Sequence, residues 1–195
     1  MKRRIFLMRA GVAIGATGLL AAGCSTTTTK SDAPEERTAR RREIDAGADA
    51  TLTRLYSTAR GAKELADRAQ GILIFPRVLS AGLVVGGEYG DGVLRTGGRA
   101  QGYYRLAGGS FGFQIGAQSQ AIVLMFLTQE ALDRFRNSKG WTVGADATVS
   151  VARVGATGEI DSNTVKQSIV GFALTNVGLY AGVKLEGSKI TRLDL

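Results

Sequence analysis

The chain has 195 residues, 44% of them hydrophobic, with 25 lysines and arginines against 17 aspartates and glutamates, one cysteine and no histidine. The missing histidine excludes a Ser-His-Asp triad, a histidine general base and histidine metal ligation, and a single cysteine excludes an intramolecular disulfide. Carboxylates, lysines, tyrosines and serines remain, a poor inventory for catalysis, so the composition points to a non-enzymatic protein with no metal and no cofactor.

The first element in chain order is an export signal over residues 1–23. Lys2, Arg3, Arg4 and Arg9 form a positive n-region, Ala10 to Ala22 a short apolar run, and small residues lead into a cleavage point. The run is shorter than the roughly 20 residues a spanning helix needs. Leu20-Ala21-Ala22-Gly23-Cys24 resembles the bacterial lipobox, in which the cysteine is acylated and becomes the new N-terminus, so Cys24 is the expected lipid-attachment residue (a palmitate-type acyl anchor). Arg3-Arg4-Ile5-Phe6-Leu7 resembles the twin-arginine export pattern, which leaves Sec and twin-arginine routes open. Ser25, by resemblance to lipoprotein sorting rules, favours the outer membrane facing the periplasm, with the inner membrane or surface exposure as alternatives. Removing residues 1–23 takes away four basic residues and no acidic ones, so the mature net charge is 21 − 17 = +4. That excess suits an anionic membrane surface and is too small to argue for nucleic acid. The 172 mature residues (195 − 23) are enough for one domain with a real core.

Residues 24–36 read as a lipidated flexible spacer, with four consecutive threonines and Pro34. The domain follows at 37–195. From Arg37 to Gln70 the pattern is helical, with a break expected near Gly47. On a helical wheel, Leu52, Leu55, Tyr56, Ala59, Ala62, Leu65, Ala66 and Ala69 share one arc, while Arg54, Arg60, Glu64, Asp67 and Arg68 lie on the other. Lys63 sits at the edge of the apolar arc, where its stem can pack while its ammonium reaches water. Such a helix either lies on the domain's own sheet or also meets a membrane, and the absence of Phe and Trp from the arc favours the first.

After Gly71 the texture changes to short apolar runs. Ile72 to Phe75 reads as a buried strand stopped by Pro76. Strands follow at Leu83 to Val85, Gly102 to Leu106, Phe111 to Ile115 and Ala121 to Leu127. Thirteen glycines between residues 71 and 120 predict tight turns, bulges or close backbone approaches in a strongly curved sheet. Thr128 to Phe135 reads as a short helix capped by Thr128. Further strands are expected at Ala147 to Ala152, Val165 to Leu174 and Val177 to Leu185. The hairpin-like intervals lack long crossover helices. The predicted fold is α+β: N-terminal amphipathic helices packed on a curved, Gly-rich, largely antiparallel β-sheet, without internal repeats.

Two motifs invite enzymatic readings. Gly86-Gly87-Glu88-Tyr89-Gly90-Asp91-Gly92 has the glycine density of a nucleotide-binding loop, but Val93 to Thr96 looks like a strand where a helix should open. A hairpin turn is the expected role. Asp133, Asp146, Glu159 and Asp161 could be paired on paper as acid and base. Each sits in a predicted helix or turn, where a solvated carboxylate is the ordinary outcome.

Ala69-x-Gly71-Ile72-x-x-Phe75-Pro76, then Gly82-x-x-x-Gly86-Gly87-x-x-Gly90-x-Gly92, resemble the start of the SYLF domain, also called the Ysc84-like actin-binding domain. Phe113 to Gln118 resembles that family's Gly-x-Gln-x-Gly-x-Gln segment, and Gly178 to Ser188 its closing motif. The resemblance spans about Leu52 to Leu195. It implies lipid binding, since eukaryotic members bind phosphoinositides and associate with actin, often beside SH3 or FYVE domains. Membrane contact in the family is assigned to a basic amphipathic helix near the domain's N-terminus. The matching segment is Leu52 to Ala69, so the resemblance implies Arg54, Arg60, Lys63 and Arg68 as lipid-binding residues. The expected partners are anionic membrane phospholipids and the covalent acyl anchor, with an envelope protein partner as the alternative and no nucleic acid.

Overall fold

A computed structural model describes residues 33–82, 85–111, 116–152, 160–161, 166–176, 178–179 and 185–195. Residues 32–195 form one compact unit. Cys24, the signal segment and most of the expected spacer lie outside the described residues, as does Glu159.

Helix α1 runs Pro34–Thr58 and α2 Ala62–Arg68. The expected spacer reached Glu36, yet the helix begins at Pro34. Proline suits the first helical position, where its missing N–H is not needed. Glu36 accepts a hydrogen bond from Ala33 N–H at 3.2 Å, and two glutamates in the first turn complement the helix dipole. The break expected near Gly47 is corrected: α1 passes through Gly47 unbroken and ends at Thr58 instead. The chain turns there because Gly61 adopts φ +84°, a left-handed conformation natural to glycine, and α2 starts directly after it.

Nine strands follow among the described residues: β1 Gly71–Gly82, β2 Val85–Thr96, β3 Arg99–Phe111, β4 Gly116–Phe126, β5 Trp141–Thr142, β6 Ser150–Val151, β7 Ile169–Thr175, β8 Gly178–Leu179 and β9 Lys189–Leu193. They form one sheet in the order β5-β9-β3-β2-β1-β4-β7-β6, with β8 paired to β7. Every pairing is antiparallel except β6 with β7. Helix α3 occupies Gln129–Asn137 between β4 and β5, and Thr128 Oγ1 accepts from Ala131 N–H at 3.3 Å, the cap expected from sequence.

Two strand readings are corrected. Pro76 does not stop β1; the register with both neighbours shifts around Pro76 and Arg77, so the proline sits in a bulge where its missing N–H costs no ladder bond. Gly86 to Gly92 is not a hairpin turn but the body of β2, in register with both β1 and β3. Two of its glycines are required by space: a Cβ on Gly90 would come within 2.6 Å of the Arg77 carbonyl, and one on Gly92 within 2.3 Å of the Ile74 carbonyl and 2.5 Å of the Phe75 ring, beside that bulge. Of the expected strand at 147–152 only Ser150–Val151 forms a strand, while Ala147 bridges to Val143 and Ala152 N–H donates to the Gly171 carbonyl at 2.7 Å. The strand expected at 177–185 is described only at Gly178–Leu179, and β9 had no counterpart in the sequence reading.

The sheet separates two cores. Leu73, Phe75, Ile122, Leu124 and Phe126 point to one side, where Leu132 and Phe135 of α3 cover them. Ile74, Val93, Val123, Met125 and Phe172 point to the other and receive Leu55, Ala59, Ala62 and Leu65 of α1 and α2. Trp141 at one end of the strand order and Val149 and Val151 at the other contribute to the same core, so the sheet curls strongly around it. The domain is α+β, an N-terminal helical layer on a curled, mostly antiparallel sheet.

Candidate functional site

The apolar arc read from the wheel is buried inside the domain. Leu55, Ala59, Ala62 and Leu65 are buried, and Leu52, Tyr56, Ala66 and Ala69 pack against the same core. Arg54, Arg60, Lys63 and Arg68 are all exposed. Lys63 donates to both carboxylate oxygens of Asp67 at 2.6 and 2.7 Å, and its ammonium stands 6.0 Å from the Tyr56 ring centre. The Asp67 hydrogen bond holds the ammonium above its ordinary pKa. Arg54, Arg60 and Arg68 have no salt-bridge partner among the described residues.

Of these four, Arg54 lines a concave site. A groove of about 510 Å³ runs between α1 and the face of the β1–β2 pair. Arg40, Gly47 and Arg54, seven residues apart, mark its length along one face of α1, about 21 Å at 1.5 Å per residue. Its floor is Pro76, Arg77 and Leu79 of β1 with Tyr89, Gly90 and Asp91 of β2. Gly47 sets the depth, because a Cβ there would come within 2.8 Å of Pro76 Cβ; glycine lets α1 rest directly on the bulge. Past the bulge, Leu79 and Tyr89 face each other across the strands and remain 51% and 44% exposed, the large apolar side chains most open to water among the described residues.

Ion pairs tie α1 to the sheet around this groove. Asp91 is held by Arg40 from α1 and by Arg105 from β3, whose Nε donates at 2.9 Å. Hydrogen bonding to Asp91 raises both guanidinium pKa values. Arg105 also stacks over the Tyr89 ring at 4.8 Å. Further along, Arg95 pairs with Asp49, and Tyr103 donates to Asp45 at 2.8 Å. Burial first, then the Asp45 carboxylate, pushes the Tyr103 hydroxyl up to about 12. Arg77 is exposed and has no salt-bridge partner among the described residues.

The inner surface of the curled sheet holds one buried carboxyl. Glu88 is 8% exposed, lies opposite Ser80 and Gly108 in the register, and accepts a hydrogen bond from the Ser188 hydroxyl. Burial raises its pKa, an effect the Ser188 hydrogen bond partly offsets. Asp133 accepts from Gln129 at 2.8 Å, Asp146 accepts from Thr142 N–H, and Asp161 is exposed. Among the described residues no cluster of His, Cys, Asp and Glu could hold a metal ion.

Arg40, Arg77, Leu79, Tyr89 and Glu88 were not singled out from sequence. Local signals could not find the first four, because the groove exists only where a helix crosses a bulge, nor Glu88, whose burial depends on Ser188 a hundred residues away. The proline inside an apolar run was the available hint of that bulge.

The family model Ysc84, described as Las17-binding protein actin regulator, matches residues 107–194. SH3 domain-containing YSC84-like protein 1 of Xenopus laevis is 31% identical over 126 residues, 62% of this chain and 37% of that protein. LAS seventeen-binding protein 3 of Saccharomyces cerevisiae is 31% identical over 130 residues, 63% of this chain and 28% of that protein. The chain thus spans about a third of the length of the curated relatives it matches. These relatives are named for binding partners or domains and not for a reaction. The groove and both N-terminal helices precede the stretch matched by the family model.

Proposed function

We propose, from the premise that this chain belongs to the SYLF (Ysc84-like) family, that its domain is a non-enzymatic lipid-binding module that engages acidic phospholipid headgroups from outside the bilayer. In this reading Cys24 carries the acyl anchor, and the domain works at the bacterial outer membrane, facing the periplasm. The observation that carries it is the division of residues 52–69, across the end of α1, the turn at 59–61 and α2, into a buried apolar side and an exposed side. On the exposed side Arg54, Arg60 and Arg68 have no salt-bridge partner among the described residues and outnumber Glu64 once Lys63 and Asp67 are paired. A helix whose apolar face is already used by the sheet does not insert; it presents charge. Arg54, Arg60 and Arg68 are the contact residues, and Lys63, already engaged by Asp67, adds less. Each cation near an anionic surface contributes about 1 kcal/mol, so three together change affinity on the order of a hundredfold.

Co-sedimentation of residues 25–195 with neutral and anionic vesicles tests this. Binding is expected only with anionic lipid, fading as salt rises. Replacing Arg54, Arg60 and Arg68 by glutamate should abolish it while leaving the circular dichroism spectrum unchanged. Binding retained by that variant would sink the assignment of this face. A second reading, an envelope scaffolding module for a protein partner, draws on the relatives named for Las17 binding. It predicts a specific, saturable cross-linked partner in cells and no dependence on lipid charge.

A further inference from the structure

We infer that the groove beside α1 seats a single acyl chain of an anionic lipid, with its charged end held by Arg54 and Arg77. This deepens the lipid reading above and rests on it, but it uses a different surface from Arg60 and Arg68.

Shape, polarity and charge each narrow the occupant. The volume of about 510 Å³ lies within the range of small-molecule pockets. An extended peptide is disfavoured by its polarity. The groove is floored by the face of a sheet, not its edge, and outside the bulge at Pro76 and Arg77 the backbone of β1 and β2 is committed to the ladder. A peptide would therefore bring a row of N–H and C=O groups to a surface with few backbone partners to meet them. An alkyl chain carries no such groups and needs only apolar lining, which Ile44 and Ala50 of α1 and Pro76, Leu79 and Tyr89 of the sheet provide.

Charge complementarity supplies the anionic end. Asp91 is already matched by Arg40 and Arg105, so it does not repel an incoming anion. Glu43 also lines the groove and opposes the two open guanidiniums of Arg54 and Arg77, leaving an excess of one positive charge. A long chain with a carboxylate or phosphate at one end matches this combination. The exposed Leu79–Tyr89 pair provides the mouth, where an aromatic ring with a hydroxyl suits the boundary between apolar chain and water.

The test uses the full chain carrying Cys24→Ser, so that no covalent acyl group competes, with monomeric oleate as the probe. Photoreactive oleate should cross-link to residues 43–54 and 76–79. Ala50 is exposed and lines the groove, so Ala50→Phe fills the slot without entering the core. It should weaken oleate binding by about tenfold or more, since each methylene left in water counts. Arg54→Glu/Arg77→Glu should weaken it similarly while leaving the apolar lining residues in place. Unchanged affinity in both variants, adducts elsewhere, equal binding of a neutral chain of the same length, or full competition by glycerol phosphate would each overturn the assignment. Vesicle co-sedimentation of Ala50→Phe and of Arg60→Glu/Arg68→Glu separates the two readings. If the groove assignment alone fails, Ala50→Phe leaves oleate binding intact while Arg60→Glu/Arg68→Glu still loses vesicles. If the headgroup reading alone fails, oleate still depends on Ala50 while vesicle binding ignores Arg60 and Arg68.

Discussion

Gly47 separates local propensity from packing. Alanine in a helix interior is favoured over glycine by about 1 kcal/mol. Here the added methyl would press on Pro76 at 2.8 Å, a ring with no flexible end to move aside, and overpacking costs about 1–3 kcal/mol. Gly47→Ala is therefore expected to lower the urea midpoint, and a raised midpoint would mean that α1 does not rest on the bulge. Glu88 makes a second prediction at this scale. Burial raises its carboxyl pKa above the ordinary value of 4.5, so the folded state holds the proton more tightly than the unfolded one. Its contribution to stability is complete below that ordinary value and is lost as pH rises through the raised one. Glu88→Gln should lessen the fall in stability between mildly acid and neutral pH, read as the difference in urea midpoints between variant and parent. Parallel profiles would show that Glu88 is ionised at no cost in the fold.

At the scale of elements, local chemistry is the better guide where one turn decides the outcome. Thr128 is a cap because its hydroxyl meets the Ala131 N–H within the same turn. Thr128→Ala should cost about 1 kcal/mol, measured as a shift in thermal midpoint, while anionic vesicle binding stays unchanged. An unchanged midpoint would mean that water replaces the cap. Pro76 and the Gly86 to Gly92 run show the opposite case. Both carry turn chemistry, and both lie inside long strands because a bulge in β1 and the glycines facing it accommodate each other. That compatibility is a property of two strands in register, so neither segment discloses it alone. The wheel over residues 52–69 separates buried from exposed positions correctly although the helix is interrupted at 59–61, because α1 and α2 present their apolar sides to the same sheet. The absence of Phe and Trp from that side points to the sheet and not a bilayer, and the sheet is what it meets.

Across the whole molecule, both cores depend on one sheet. Leu73 and Ile74 are neighbours in β1, yet one faces the α3 side and the other the α1 side. Loss of β1 or β4 removes both cores together, so unfolding should be a single cooperative event. Trp141, the one tryptophan, is 1% exposed and makes edge contacts with Phe126 and Phe135, so its fluorescence reports the core opposite the N-terminal helices. Its transition in urea should superimpose on the far-ultraviolet dichroism of those helices; two separated transitions would mean that the helical layer melts independently.

The sequence by itself determined the α+β class, the helix-then-sheet order, the buried and exposed faces of the N-terminal helices, the Thr128 cap and the resemblance to the SYLF family. Each follows from periodicity, capping chemistry or motifs that a short stretch of chain carries whole. Tertiary structure alone decided that Glu88 is buried against Ser188 a hundred residues away, and that Arg54 shares a groove with Arg77, Leu79 and Tyr89. Those facts depend on which strands are neighbours and where a bulge meets a helix. Long-range pairing of that kind arises from the packing of the whole domain, and no local segment encodes it.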